Sequence, residues 1–349
     1  MRRQVQSVLV PLGAIAAGMI VFGIFVAFLG VNPLAVYASI WKAAFGSWYS
    51  WQNTLVRASP LLLCGLCTAL PARAGIIVIG NEGAVVMGGM GAITAGLATS
   101  TASPWLSLAC MALAAMVAGG LWIAASVALQ HYRGVSAVIS GLLMNYLAIA
   151  FMNQIIEGPM RDPASLNNPA TYPLAADHRL GFFAGTHVHH GILFGVTACL
   201  IAWFLVEQTT FGFAMKISGG NVRAARLAGL PVGFLVVMAG MLGGACAGLA
   251  GMVEVAAVHG RANESLNAGY GYVGILVAFL SRQSALGVLV VSLLVGGLLA
   301  SSGMLQRAHE LPDATISVLQ GILFLFILLS DTVYGRLRVM GARTDAVAA

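Results

Sequence analysis

Charge is what this chain has least of. Asp, Glu, Lys and Arg make up 8% of its 349 residues, against 59% hydrophobic, and the mean hydropathy is +0.92. A soluble domain carries about a quarter charged residues, so that class is excluded. Lysine is scarcest: Lys42 follows Trp41 and Lys216 follows Met215. No G-x-x-x-x-G-K-[ST] phosphate loop can be built from them, so no ATPase site of that kind is expected in this chain. Cysteine is also sparse, at Cys64, Cys67, Cys110, Cys199 and Cys246, all inside apolar stretches. Cys64 and Cys67 form a C-x-x-C without a second pair, so small core- or lipid-facing residues are the better reading and no metal site is expected. No nucleophile, base and orienting group stand at workable spacing, and there is no H-E-x-x-H, so nothing points to an enzyme.

What the chain has is long apolar runs. A membrane-crossing helix needs about 20 such residues, and on that measure ten stretches qualify: 8–30, 54–72, 83–100, 105–130, 135–156, 190–207, 231–257, 270–281, 285–301 and 313–334. The eighth is short enough to be a half-helix. The expectation is an all-α membrane protein of about ten transmembrane helices, some broken, with residues 1–349 forming a single transmembrane domain. Arg2 and Arg3 precede the first run without a cleavage site, which reads as a retained helix. Alternating sides from a cytoplasmic N-terminus places Arg2, Arg3, Arg73, Arg133, Lys216, Arg223, Arg226, Arg282, Arg336, Arg338 and Arg343 inside. Lys42, Arg57, Arg161, Arg179, Arg261 and Arg307 fall outside. That bias predicts cytoplasmic N- and C-termini. The net charge of +6 then orients the chain in the membrane, and no nucleic-acid partner is expected.

Two segments between spans stand out. Residues 31–53 carry Trp41, Trp48, Tyr49 and Trp51, as an external interfacial element and aromatic anchor would. Residues 157–190 are hydrophilic, and Pro159, Pro163, Pro169 and Pro173 deny them a helix, so an external loop is expected. Its HVHH at His187–His190 has zinc-binding side chains but no carboxylate or cysteine at ligand spacing, which favours an interfacial loop end.

Polar residues inside the apolar runs are costly and therefore informative. Arg73 to Gly91 contains Gly80-Asn81-Glu82-Gly83, and a carboxylate at that depth costs about 3 kcal/mol on insertion scales. Glu82 either faces a substrate path at the ends of a broken helix or is held by Arg73 or a neighbouring helix as a structural element. Asn145, Tyr146 and Glu254 pose the same choice between lining a path and packing helices. Gly240, Gly244 and Gly248 repeat a G-x-x-x-G face suited to close helix contact.

Residues 208–231 form a basic, Gly-rich island containing Lys216, Arg223 and Arg226. Gly219 and Gly220 are expected to break the preceding helix. Asn221 can then cap a short one by accepting from Arg223 or Ala224, closed by Gly229 and Pro231. The small face of Ala224, Ala225 and Ala228 suits contact with another protein. The plain alternative is an ordinary basic loop between spans.

The pattern G-x-N-x-x-A-A-x-x-A-G, here Gly219, Asn221, Ala224, Ala225, Ala228 and Gly229, resembles the ATPase-coupling loop of ABC importer permeases of the simple-sugar and nucleoside group, which are branched-chain amino acid permease-like. Arg73, Ala74, Gly75, Ile79, Gly80, Glu82 and Gly83 match that family's R-A-G-L-F-N-I-G-x-E-G-Q, although its Asn and Gln positions hold Val78 and Ala84 here. Thr54–Leu66, Gly134–Ala148 and the run from Gly269 through Gly271, Gly274 and Ile275 extend the resemblance, with Ala137 replacing a usual Glu.

The resemblance implies a permease in a bacterial inner membrane, surrounded by lipid and without a cofactor of its own. ATP and magnesium would sit on a cytoplasmic ATP-binding subunit. Its other implied partners are an extracytoplasmic binding protein and a second, different permease. It implies nucleoside or simple-sugar cargo, with Asn81, Glu82, Asn145, Tyr146 and Glu254 along the path and Gly219, Asn221, Arg223, Ala224, Ala225, Arg226 and Gly229 in the coupling loop. A branched-chain amino acid permease and an ion-coupled secondary transporter are the alternatives. Under the ABC reading Glu82→Gln retains substantial uptake.

Overall fold

The computed structural model describes residues 2–347, with side chains from 13 to 330. Its elements are α1 (Arg2–Phe28), α2 (Pro33–Phe45), α3 (Trp48–Arg73), α4 (Asn81–Ala98), α5 (Pro104–Arg133), α6 (Ala137–Glu157), α7 (Gly191–Gln208), α8 (Thr210–Gly220), α9 (Val222–Leu227), α10 (Val232–Val253), α11 (Tyr270–Leu280), α12 (Ala285–His309) and α13 (Ala314–Val347). A π-helical segment, Glu254–His259, extends α10. Among the described residues there is no strand longer than an isolated bridge.

The chain divides into two compact units, one of residues 52–296 and one of 1–51 with 297–349. In the larger unit α4 lies at the centre, packed by α5, α6, α10 and α11. Its buried residues include Asn81, Glu82, Val85, Val86, Met90 and Ile93. The expected glycine face does pack closely: a Cβ on Gly248 would collide with the Ala115 carbonyl oxygen of α5, and one on Gly244 with that of Gly119. Without hydrophobic driving force between helices in lipid, such backbone proximity supplies the van der Waals contact that holds them.

In the smaller unit, α1 packs along α13, where Gly18 faces Leu323. Asn32 caps α2 by accepting from the Leu34 N–H at 3.0 Å. Trp41, Phe45 and Trp51 stack in series at 5.2 and 4.9 Å. The 31–53 segment is thus helical through most of its length, with Trp41, Trp48 and Tyr49 exposed.

Six helices, α3, α5, α6, α7, α10 with its π segment, and α12, are long and apolar enough to cross a membrane. Gly13–Phe28 and α2 would make a seventh as one span bent by 115°. The count of ten therefore meets three exceptions with physical causes. Helix α4 runs 18 residues but begins with Asn81 and Glu82 and is walled by protein. Helix α11 has only 11 residues, and the described apolar part of α13 is Ala314–Ser330. The charges at Arg2, Arg3, Arg336, Arg338 and Arg343, on which the orientation of the termini leans, lie outside the described side chains.

The 157–190 loop is pinned. The Thr171 N–H donates to the Ala262 carbonyl at 2.9 Å, and the Ala262 N–H donates back to the Thr171 hydroxyl at 3.0 Å. Leu174 and Leu180 donate to the carbonyls of Gly260 and Ala256, so the loop's backbone is satisfied by the segment after α10.

Candidate functional site

Between α3 and α4 the chain has no regular structure through Ile76–Ile79, and α4 starts at Asn81. The break expected around Gly80 and Gly83 therefore falls just upstream, leaving Asn81 and Glu82 in the first helical turn. Asn81 is fully buried. Its amide donates to the Thr68 hydroxyl at 2.7 Å, while its oxygen accepts from the Cys67 thiol at 3.3 Å. Cys67 is thus a core residue that helps hold the asparagine.

Glu82 is likewise fully buried, and its two carboxylate oxygens accept the backbone N–H groups of Gly269 and Gly271 at 2.7 and 2.6 Å. These are donors at the start of α11, which have no carbonyl partner within their own helix. The carboxylate satisfies them with charge-assisted bonds and sits at the positive end of the α11 dipole. Arg73 is not its partner. The Arg73 guanidinium donates to the Gln283 carbonyl at 3.0 Å and approaches Glu207 at 3.6 Å, and Glu207 meets Lys216 at 2.5 Å.

Asn145 is also spent on packing. Its oxygen accepts the Gly83 N–H at 2.8 Å, and its amide donates to the Ile79 carbonyl at 3.1 Å and the Tyr272 hydroxyl at 3.3 Å. Tyr146, its neighbour on α6, is 68% exposed, and Tyr272 is 41% exposed. Tyr272 was not singled out by sequence; its only local signal is a tyrosine within the G-x-G-x-x-G run. Glu254 opens the π-helical segment, buried, with His259 at 3.5 Å. In the HVHH segment the His187 N–H donates to Gln52 at 2.8 Å and His190 packs edge-on against Phe183 at 4.7 Å. Among the described residues no three His, Cys, Asp or Glu side chains gather as metal ligands.

The basic island folds with one correction. Helix α8 continues through Gly219 and Gly220, and the chain turns at Asn221 (φ −153°). Gly219 is a close-contact position, since a Cβ on Gly75 would stand 3.0 Å from the Gly219 Cα, while Gly220 is the last residue of α8 and has open space around it. Asn221 then caps α9, its oxygen accepting from the Ala224 N–H at 3.0 Å. At the other end Gly229 adopts φ +75°. Leu230 donates to the Ala225 carbonyl and Gly229 to that of Arg226, the two bonds of a Schellman closure. The expected alanine face is divided: Ala225 is buried within the chain, while Arg223, Ala224, Arg226 and Ala228 are exposed. Leu227, which sequence reasoning passed over, is 85% exposed. The result is a six-residue helix fixed at both ends, lying at the α3–α4 junction that leads to Asn81 and Glu82.

The family model described as branched-chain amino acid transport system / permease component matches residues 50–328. A glucose ABC transporter permease protein of Haloferax volcanii is 30% identical over 333 residues, covering 92% of this chain and 87% of that protein. Two guanosine ABC transporter permease proteins of Bacillus subtilis also match. One is 29% identical over 98% of this chain and 100% of its own length, the other 26% identical over 70% and 78%. Matches of this extent carry the multi-pass membrane character of the helices into a functional class. The chain belongs to the branched-chain amino acid transport system permease family and is a permease subunit of an ABC importer, a class that works with an ATP-binding subunit and a substrate-binding protein.

Proposed function

We propose that this chain forms part of the path through a bacterial inner membrane for nucleosides or related sugar-type solutes, driven by ATP hydrolysis on a cytoplasmic partner that docks at α9. The observation that carries this reading is the short helix itself, capped by Asn221, closed at Gly229 and presenting Arg223, Ala224 and Leu227 outward. The positive charge of Arg223 and an exposed leucine on a rigid six-residue element suit a cleft in a soluble subunit. Gly219, at the end of α8 just before α9, lies against the Arg73–Gly75 backbone that leads toward α4, a contact through which motion of α9 would be passed on. In this reading ATP and magnesium sit on that subunit, consistent with the lack of a phosphate-loop lysine in this chain.

The guanosine and glucose relatives support the cargo class. Two guanosine permeases from one organism, matched to different extents, support a complex in which this chain pairs with a second, different permease. The path we propose runs nearer to Tyr146 and Tyr272 than to Asn81 and Glu82. Asn81, Glu82 and Asn145 are occupied by internal bonds, whereas Tyr146 and Tyr272 are exposed phenols with Asn145 behind them. These rings, able to stack on a base or a sugar face, are the better candidates for contact with solute.

The test is Arg223→Glu in the assembled transporter. Uptake of radiolabelled guanosine should fall while the permease remains in the membrane at wild-type abundance. Normal ATP-driven uptake in that variant would remove α9 as the docking element. Uptake that persists without ATP and stops when the proton gradient collapses would establish the secondary-transporter alternative instead.

A further inference from the structure

Behind α9 lies a cavity of about 300 Å³ whose walls come from four places: Ala74–Ile76 at the α3–α4 junction, the end of α5, the α8–α9 turn and the start of α10. Four of its lining residues are polar, Gln130, His131, Ser218 and Arg226. Ser218 is fully buried and its hydroxyl has no hydrogen-bond partner. The buried Gln130 side-chain oxygen is also unpartnered. A buried polar atom left unmet costs about as much as a lost hydrogen bond or more, and both of these belong to residues that line the cavity.

The chemistry of the walls selects the occupant. No carboxylate lines the cavity, which excludes a metal ion or an amine. Arg226 brings a fork of N–H donors and a permanent charge, His131 an imidazole, and Ser218 a hydroxyl donor. Turning the Gln130 amide end for end presents two more N–H donors in place of the oxygen. An array of donors around a single cation with no acid nearby is complementary to an oxyanion.

We propose that this cavity is an oxyanion site, taking a phosphate group either as free phosphate or as the headgroup of an acidic lipid. When filled, the site ties α9 to the ends of α3, α5 and α10 and so holds that helix in the position it has here. The proposal stands on the cavity alone and does not depend on which subunit docks against the outer face of α9.

The experiment uses the purified full-length permease. In lipid-free detergent, inorganic phosphate is titrated against thermal unfolding at ionic strength held constant with chloride. In a parallel arm, nanodiscs of phosphatidylcholine are compared with nanodiscs containing phosphatidylglycerol. A free-phosphate site predicts a melting temperature that rises with phosphate in the first arm. A headgroup site predicts stabilisation by phosphatidylglycerol and none by phosphate. In either case Ser218→Ala and Arg226→Gln should weaken the apparent affinity about tenfold each, the usual scale for losing a bond to a charged group. Gln130→Glu, which keeps the shape and adds a negative charge, should abolish the effect, and it serves as the decisive variant if Ser218→Ala fails to fold. Stabilisation by neither source, or equal stabilisation of wild type and all variants that fold, overturns the assignment.

Discussion

Around Asn81 and Glu82 the polar side chains are buried and bonded within the chain. Around Arg223 and Leu227 they stand exposed, and Arg223 forms no hydrogen bond or ion pair among the described residues. Both regions break the apolar rhythm of the sequence, and both resemble signatures of the same family. At membrane depth no water completes an unmet bond, and Asn81, Glu82 and Asn145 find their partners within the chain. Glu82 shows this with two oxygens on two helix-start N–H groups. On α9 the backbone is satisfied internally by Asn221 and the Gly229 closure, while the side chains are left over. The first region is a clasp and the second is a face.

The strongest way to break that comparison is to cut the clasp. Glu82→Ala leaves two buried N–H groups without acceptors. At about 1–3 kcal/mol for each, the folded state should lose on the order of 2–6 kcal/mol, read as a drop in melting temperature and in membrane abundance. Glu82→Gln keeps one acceptor and turns an NH2 toward the other N–H, so about half that loss is expected. This revises the sequence-based expectation of substantial uptake: the glutamine variant should transport less because less of it is folded. Wild-type melting of Glu82→Ala would mean that the carboxylate is free to serve the solute.

A smaller effect sharpens the same point. Asn145→Leu removes the acceptor of the Gly83 N–H and the donors to Ile79 and Tyr272 but keeps the volume. The expected loss is about 1–3 kcal/mol, with Tyr272 freed to move. If solute binding changed while melting did not, Asn145 would belong to the path and not to the packing.

Much of the local architecture was legible in the sequence because it depends on neighbours. The Asn221 cap spans three residues, the closure at Gly229 spans a single turn, and the glycine face of α10 repeats every four. What escaped depends on residues far apart. Glu82 meets Gly269 and Gly271 across 187 and 189 positions, and Arg73 reaches Gln283 across 210. No periodicity records such a pairing. The break expected at Gly219 and Gly220 falls at their far side, with α8 ending on Gly220; that Gly219 lies against Gly75, more than 140 residues earlier in the chain, was not legible. The prolines of 157–190 pointed to a loop without a long helix, but nothing local recorded that Thr171 fastens it to Ala262, a bond between two residues with no local motif.

The smallest expected change in folding comes from the face, at Leu227. An exposed side chain on a helix whose ends are fixed contributes little to the fold, so Leu227→Ala should move stability by less than about 0.5 kcal/mol. Its effect should appear only when the ATP-binding subunit is added. Truncating a side chain buried at the centre of an interface commonly costs more than about 1 kcal/mol, which is at least fivefold in affinity. The measurement is binding of the purified ATP-binding subunit to permease in nanodiscs, alongside thermal unfolding of the permease alone. Weakened binding with unchanged unfolding would separate face from clasp. Unchanged binding would mean that the partner grips α9 through Arg223 and Ala224 alone, leaving Leu227 to the membrane surface, and adding an acidic residue at that position should then be harmless to coupling.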